Sequence, residues 1–209
     1  FESLRDYSYE VKKMKQNYFA KVIKVLKSFL NWAIEKGYNT NREFEKFKAA
    51  EHDIDIVFLT FEELMNLYNY QFESDRLSQA RDFYCMGCFT GLRFSDLSKL
   101  HLANISEDHI VLSIKKTKTQ NHAIKLNKYA KAILGKYKGT IYEPLPIISS
   151  QKFNEYIKEC CELVEINQLF TIHWFVGNKK KSLTQPKYKF ITSHTARKTF
   201  ITNSLLLGM

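Results

Sequence analysis

The chain has 209 residues, 44% of them hydrophobic, enough for a proper core in one large domain or two small ones, so a globular protein is expected. Its 32 lysines and arginines against 22 acidic residues leave a net charge of +10, which favours a polyanionic partner. No apolar run approaches the ~18 residues of a membrane span and no signal peptide is visible, which excludes a spanning helix and leads to the expectation of a cytoplasmic protein with no membrane partner.

The opening segment, from Phe1 to about Asp53, reads as helical. Phe19, Val22, Ile23, Leu26, Phe29, Leu30 and Ala33 recur at helical spacing, which predicts one apolar face and an end at Gly37. Lys12, Lys13, Lys15, Lys21, Lys24 and Lys27 follow one another with no acidic residue among them. Such a run is ordinarily a solvated face, but six uncompensated lysines favour contact with a DNA backbone. Residues 51–58 read as a linker. Thr60 and Glu63 then form a capping box, with Leu59 and Leu64 placed as a hydrophobic staple, so a new domain begins there. A second helix is expected from about Ser78 to Thr90, ended by Gly91, and Ser95 is placed to cap a short helix through Leu100. Arg93 thus lies just outside a helix N-terminus, where backbone N–H groups also favour an anion.

Ile110, Leu112 and Ile114 alternate, the chain turns through Thr117 to Asn121, and Ala123 to Leu126 return, which predicts a β-hairpin. Lys115, Lys116, Lys118, Lys125, Lys128 and Lys131 form a second acid-free run. Helices are expected at about 127–136 and 151–164, the latter with Phe153, Tyr156, Ile157, Cys160 and Val164 at core spacing. Thr171 to Val176 is β-prone and Lys179-Lys180-Lys181 follows, which reads as a second small hairpin. His173 and Trp174 are more simply core residues of that strand than ligands. From Lys179 to Lys198 there are seven basic residues and no acidic one.

Cys85 and Cys88 match C-x-x-C, but no second ligand pair accompanies them, and the adjacent Cys160 and Cys161 cannot easily converge on one ion. All four are expected to be reduced structural cysteines, with no metal and no cofactor. No glycine-rich phosphate loop or paired-carboxylate motif supports nucleotide hydrolysis.

A helix starting near Ser193 puts His194 and Arg197 on one face, so both heads could reach one ligand. Alone, such a pair is commonly just solvated. Here it stands within S-H-x-A-R-x-T-F, from Ser193 to Phe200, and T-G-L-R-x-S-D-L, from Thr90 to Leu97, lies upstream of the basic hairpin. The order and spacing of these motifs resemble the tyrosine recombinase, or phage integrase, family over nearly the whole chain. The resemblance implies that Arg93 is the first catalytic arginine, that His194 and Arg197 are the H-x-x-R pair, and that Asp96 supports Arg93. It also implies a hairpin lysine acting as general acid toward the leaving 5′ oxygen. Alternation counted forward from Ile110 selects Lys116, whereas counting back from Leu126 is better served by Lys118; Lys116 is the choice if strand parity holds.

The expected architecture is mainly α with small β-hairpins (α+β): a partial helical core-binding domain over 1–53 and a tyrosine-recombinase-like catalytic domain over 54–209 lacking its C-terminal end. The family's second His or Trp position and its nucleophilic tyrosine follow the H-x-x-R helix; here no tyrosine follows Arg197. The resemblance therefore implies an integrase or recombinase of a mobile element or chromosome-resolution system, working through a 3′-phosphotyrosyl intermediate and assembling as a synaptic tetramer in its intact form. These residues by themselves are expected to bind double-stranded DNA as a clamp without cleaving it. Lys12, Lys13, Lys21, Lys24, Lys118 and Lys198 are the candidate DNA-binding residues. The alternative is a non-catalytic DNA-binding regulator on the same fold, with a type IB topoisomerase third.

Overall fold

The structure is a computed structural model that describes residues 2–114 and 119–208. In chain order its elements are α1 (Glu2–Asp6), α2 (Gln16–Glu35), α3 (Phe61–Asn69), α4 (Asp75–Thr90), α5 (Phe94–Leu97), β1 (Asn104–Ile105), β2 (His109–Ile114), β3 (Thr119–Lys125), α6 (Lys128–Tyr137), α7 (Ser150–Leu163), β4 (Leu169–Val176), β5 (Lys179–Pro186) and α8 (Ser193–Leu206). Helices dominate, with one antiparallel sheet of order β1-β2-β3 and a separate β4–β5 pair, which is the α+β class expected. The chain divides into two compact units. One is Phe1–Asp55 with Phe170–Gln185, and the other is Ile56–Leu169 with Pro186–Met209.

In the first unit α2 ends as expected before Gly37, whose φ of 75° lies in the left-handed region. Phe19, Ala20, Ile23 and Ala33 are buried, but Phe29 is 57% exposed and lies on a second apolar stripe with Tyr18, Val25 and Trp32. The expectation of a single apolar face is corrected accordingly. Phe29 stacks on Trp32 at 5.8 Å, and Trp32 leans on Tyr38 at 5.8 Å, so these rings cover one another rather than a neighbouring element. Beyond Lys36 the chain is not helical apart from a 3-10 turn at Glu43–Lys46, a second correction. The asparagines there compete with a helix for the backbone: Asn39 Oδ1 accepts from Asn41 N (3.1 Å) and Asn41 Oδ1 from Glu43 N (2.7 Å).

The β4–β5 hairpin, although it follows 114 residues of the second unit, belongs to the first. Its turn has Gly177 at φ 57°, with the Tyr9 ring against it. Lys15 Nζ lies 4.9 Å above the Trp174 ring and His52 stacks on Phe175 at 4.1 Å. Asp55 Oδ2 accepts both the backbone N–H of His173 (2.5 Å) and a contact from its ring Nδ1 (3.0 Å).

The second unit is built around α4. From Ala80 to Thr90 every residue of this helix is buried, because α3, α6, α7 and α8 all pack on it. A helix surrounded on all sides must neutralise its own polar groups. Asp82 does so by meeting Arg81 Nε (2.6 Å), Lys136 Nζ (2.7 Å) and the Tyr137 hydroxyl (2.7 Å). Gly87 lets α8 approach: a Cβ there would lie 3.1 Å from Ala196 Cβ. The capping box of α3 forms as read, Thr60 Oγ1 accepting from Glu63 N (3.2 Å) and Glu63 Oε2 from Thr60 N (2.7 Å), with Leu59 and Leu64 both buried. The same Oε2 holds the buried Lys187 Nζ at 2.6 Å, which ties the start of α3 to the turn preceding α8.

Two local expectations change. Ser95 does not cap α5; the N-cap position is Arg93, whose carbonyl accepts from Asp96 N and Leu97 N at 2.9 Å each. Phe94, drawn against Phe83 (5.2 Å) and Phe153 (5.3 Å), starts the helix two residues earlier than a cap at Ser95 would. In the β2–β3 hairpin the register runs evenly from His109↔Lys125 to Leu112↔His122, then shifts before Ile114↔Thr119. The extra residue lies on β3, so the count back from Leu126 is interrupted while the alternation along β2 from Ile110 runs on to Ile114. Lys116 and Lys118 themselves lie outside the described residues.

Candidate phosphate-binding site

Helix α4 ends in a left-handed glycine. Gly91 has φ 68° and donates its N–H to Gly87 O (2.9 Å), and a Cβ at this position would lie 2.6 Å from Phe200 Cδ1. The turn buries Leu92 and delivers Arg93 to the mouth of α5, its side chain about one quarter exposed. Asp96, one turn on, is buried with Leu97. Its Oδ2 lies 4.0 Å from Arg93 Nη1, an ion-pair distance longer than a hydrogen bond, and has no hydrogen-bond partner.

Helix α8 is held at its first turn from three sides. Asn154 Oδ1 on α7 accepts the Ser193 N–H (2.8 Å). Thr195 Oγ1 accepts the Thr192 N–H (3.1 Å) and donates to Thr192 O (2.7 Å), leaving the buried Tyr84 hydroxyl on α4 to donate to it at 2.9 Å. Further along, Thr199 Oγ1 accepts from Leu59 N (3.0 Å) and Asn203 Nδ2 donates to Leu59 O (3.1 Å). Thr195, Thr199 and Asn203 are all buried, a polar row at four-residue spacing. Sequence reasoning did not assign these positioning roles. The spacing of the row is the signal that could have found it, whereas nothing local marks Tyr84 or Asn154.

So anchored, α8 carries His194 exposed on its first turn and Arg197 half-buried one turn later. The Arg197 guanidinium is held below the ordinary arginine range, first by burial and then by the positive charge of Arg93, while the Asp96 carboxylate works the other way. Two arginines from separate elements are therefore within electrostatic reach of one another, with the Asp96 carboxylate opposing their charge. Guanidinium groups stay charged, so the pair repels unless an anion lies between its members. Two planar donor forks suit a ligand with several charged oxygens.

Of the remaining candidates, Lys198 follows Arg197 on α8 and is half-buried, and Lys12, Lys13, Lys21 and Lys24 are exposed in the first unit. Lys12 Nζ lies 5.6 Å above the Tyr7 ring, and Lys13 has a left-handed φ of 51°. Lys27 is engaged by Glu45 O at 2.9 Å. The four cysteines are buried thiols; burial pushes Cys160 up to about 12 and raises the other three, which makes them poor nucleophiles. Among the described residues no group of three or more His, Cys, Asp or Glu side chains is placed to hold a metal ion, and no helix is long and apolar enough to cross a membrane.

No protein-family model and no curated protein sequence matches the chain. Among solved structures it is similar to the crystal structure of a lambda integrase (75–356) dimer bound to a COC′ core site. The TM-score is 0.67 at 17% sequence identity, over 99% of this chain and 70% of that one. The fold of the chain is therefore that of this integrase fragment.

Proposed function

We propose that this chain is the DNA-gripping part of a tyrosine-type site-specific recombinase, a phage-integrase-like enzyme that cleaves and rejoins duplex DNA through a 3′-phosphotyrosyl intermediate. The observation that carries the reading is Arg93, 4.0 Å from Asp96 at the mouth of α5 and within electrostatic reach of Arg197 on α8. Supporting it are the motif resemblance, the integrase fold and the uncompensated lysines. In this reading the two guanidiniums bind the non-bridging oxygens of the scissile phosphodiester and stabilise the charge that grows there in the transition state. Asp96 orients Arg93. His194 reaches the same phosphate or exchanges a proton with it, and Lys116 protonates the leaving 5′ oxygen. The first unit supplies backbone contacts through Lys12, Lys13, Lys21 and Lys24, the second through Lys118 and Lys198. On its DNA site the protein associates with further copies of itself. A phenolate nucleophile is assigned to none of the tyrosines in these 209 residues.

Binding of the chain to a duplex oligonucleotide, measured against salt, tests the partner: log Kobs should fall steeply with log salt, by about 0.9 per phosphate contact. A flat dependence overturns DNA as the partner. The site is tested by Arg93→Ala and Arg197→Ala in a form of the protein that forms a covalent DNA adduct. Each should abolish the adduct and leave most of the DNA affinity, since two contacts among many are lost from binding while both act on the transition state. Adduct formation at the original rate in either variant removes the assignment.

A further inference from the structure

The β4–β5 hairpin is absorbed neither by the phosphate site nor by the lysines of the first helices. Its inner strand, β4, is held in the first unit through His173, Trp174 and Phe175 and is half-buried from Phe170 onward. Its outer strand is different: Lys179, Lys180, Lys181, Ser182, Leu183 and Thr184 are all exposed. Among the described residues this sheet has two strands, which leaves β5 an unpaired edge. A lysine on such an edge ordinarily serves to discourage pairing with other chains, and one suffices for that. Three in succession, on a hairpin with no Asp or Glu between Leu169 and Pro186, create a local positive field beyond that need.

The alternation of a strand sorts the three. Lys180 lies on one face of β5. Lys179 and Lys181 share the opposite face, about 6.6–6.8 Å apart along the strand, so that each can reach a separate phosphate. We infer that the outer strand of the β4–β5 hairpin is a nucleic-acid contact of the first unit, in which Lys179 and Lys181 bind phosphates of the duplex backbone. This rests on the reading of the chain as a DNA-binding protein and adds to it a contact outside the lysines named there. Contacts of Lys179 and Lys181 to phosphates position the duplex and carry no sequence information of their own.

The test compares Lys179→Gln/Lys181→Gln with a charge-matched control, Lys138→Gln/Lys152→Gln, on exposed lysines of the second unit. Affinity of each full 209-residue chain for one duplex is measured across a salt series, with thermal unfolding as a check that the exposed substitutions leave the fold intact. The hairpin pair should reduce the salt slope by about 1.8, two contacts at about 0.9 each, and the control pair should leave it near the original value. Equal slopes for the hairpin variant and the original chain, or equal reductions in both variants, overturn the inference while the steep slope of the original chain leaves DNA binding standing. A flat slope in the original chain overturns both.

Discussion

At the scale of the residue, the site is defined by a charge imbalance. Burial and then the charge of Arg93 hold the Arg197 guanidinium below its ordinary range, and Asp96, whose Oδ2 has no hydrogen-bond partner and lies 4.0 Å from Arg93 Nη1, opposes this only in part. In the proposed function a phosphodiester would supply the missing negative charge and the acceptors. A leaving oxygen needs a proton and a leaving sulfur does not, so loss of the acid should be rescued by a substrate whose 5′ leaving oxygen is replaced by sulfur. In a cleavage-competent form of the protein, Lys116→Ala should therefore be slow on the ordinary substrate and close to normal on the sulfur-substituted one. Rescue of Lys118→Ala instead would transfer the role to Lys118.

At the scale of the element, the site depends on how closely α8 can lie against α4, and Gly91 meets two demands there. Its φ of 68° is costly for any residue with a Cβ, and that Cβ would overlap the Phe200 ring. Gly91→Ala should destabilise the second unit by about 2–5 kcal/mol, combining left-handed strain with overpacking. Gly139, at φ 75° with nothing within 4 Å of its would-be Cβ, isolates the first contribution. Urea unfolding of Gly139→Ala should show a loss of about 1–2 kcal/mol. Equal losses for the two variants would mean that Phe200 gives way freely and α8 is not tightly seated. What was legible in the sequence follows the same division between local and tertiary causes. The capping box at Thr60 and Glu63, the stop at Gly91 and the start of α8 were readable because their partners lie within a few residues. The start of α5 was not, because Phe94 answers to Phe83 and Phe153 far along the chain. The face of α2 bearing Phe29 was misjudged because periodicity shows that residues share a side, not that anything covers it. Arg93 and Arg197 were named through their motifs, but no spacing rule links positions 104 apart. Tyr84 and Asn154, which anchor the helix between them, carry no sequence mark at all.

At the scale of the whole molecule, the chain passes from one unit to the other after Asp55, after Leu169 and after Gln185, so the first unit is assembled from two segments remote in sequence. Asp55 closes the first segment and fastens it to the second through His173. The His173 backbone and ring hydrogen bonds hold the Asp55 carboxyl below its ordinary value of 3.8, with Lys180 adding to the effect and desolvation opposing it. A carboxyl whose folded value is depressed favours the folded arrangement while it is ionised. Its contribution is therefore present above the ordinary value and is lost as pH falls through the lower, folded one. The hairpin should stay fastened across neutral and mildly acidic pH and loosen only in stronger acid. The amide proton of His173, which donates to this carboxylate, reports on it directly. Its NMR chemical shift should titrate with a midpoint below 3.8, and Asp55→Asn should abolish that titration while reducing the amide's protection from hydrogen exchange at pH 6. A midpoint at or above the ordinary aspartate value, or unchanged protection in Asp55→Asn, would show that the hairpin is held by Trp174 and Phe175 alone.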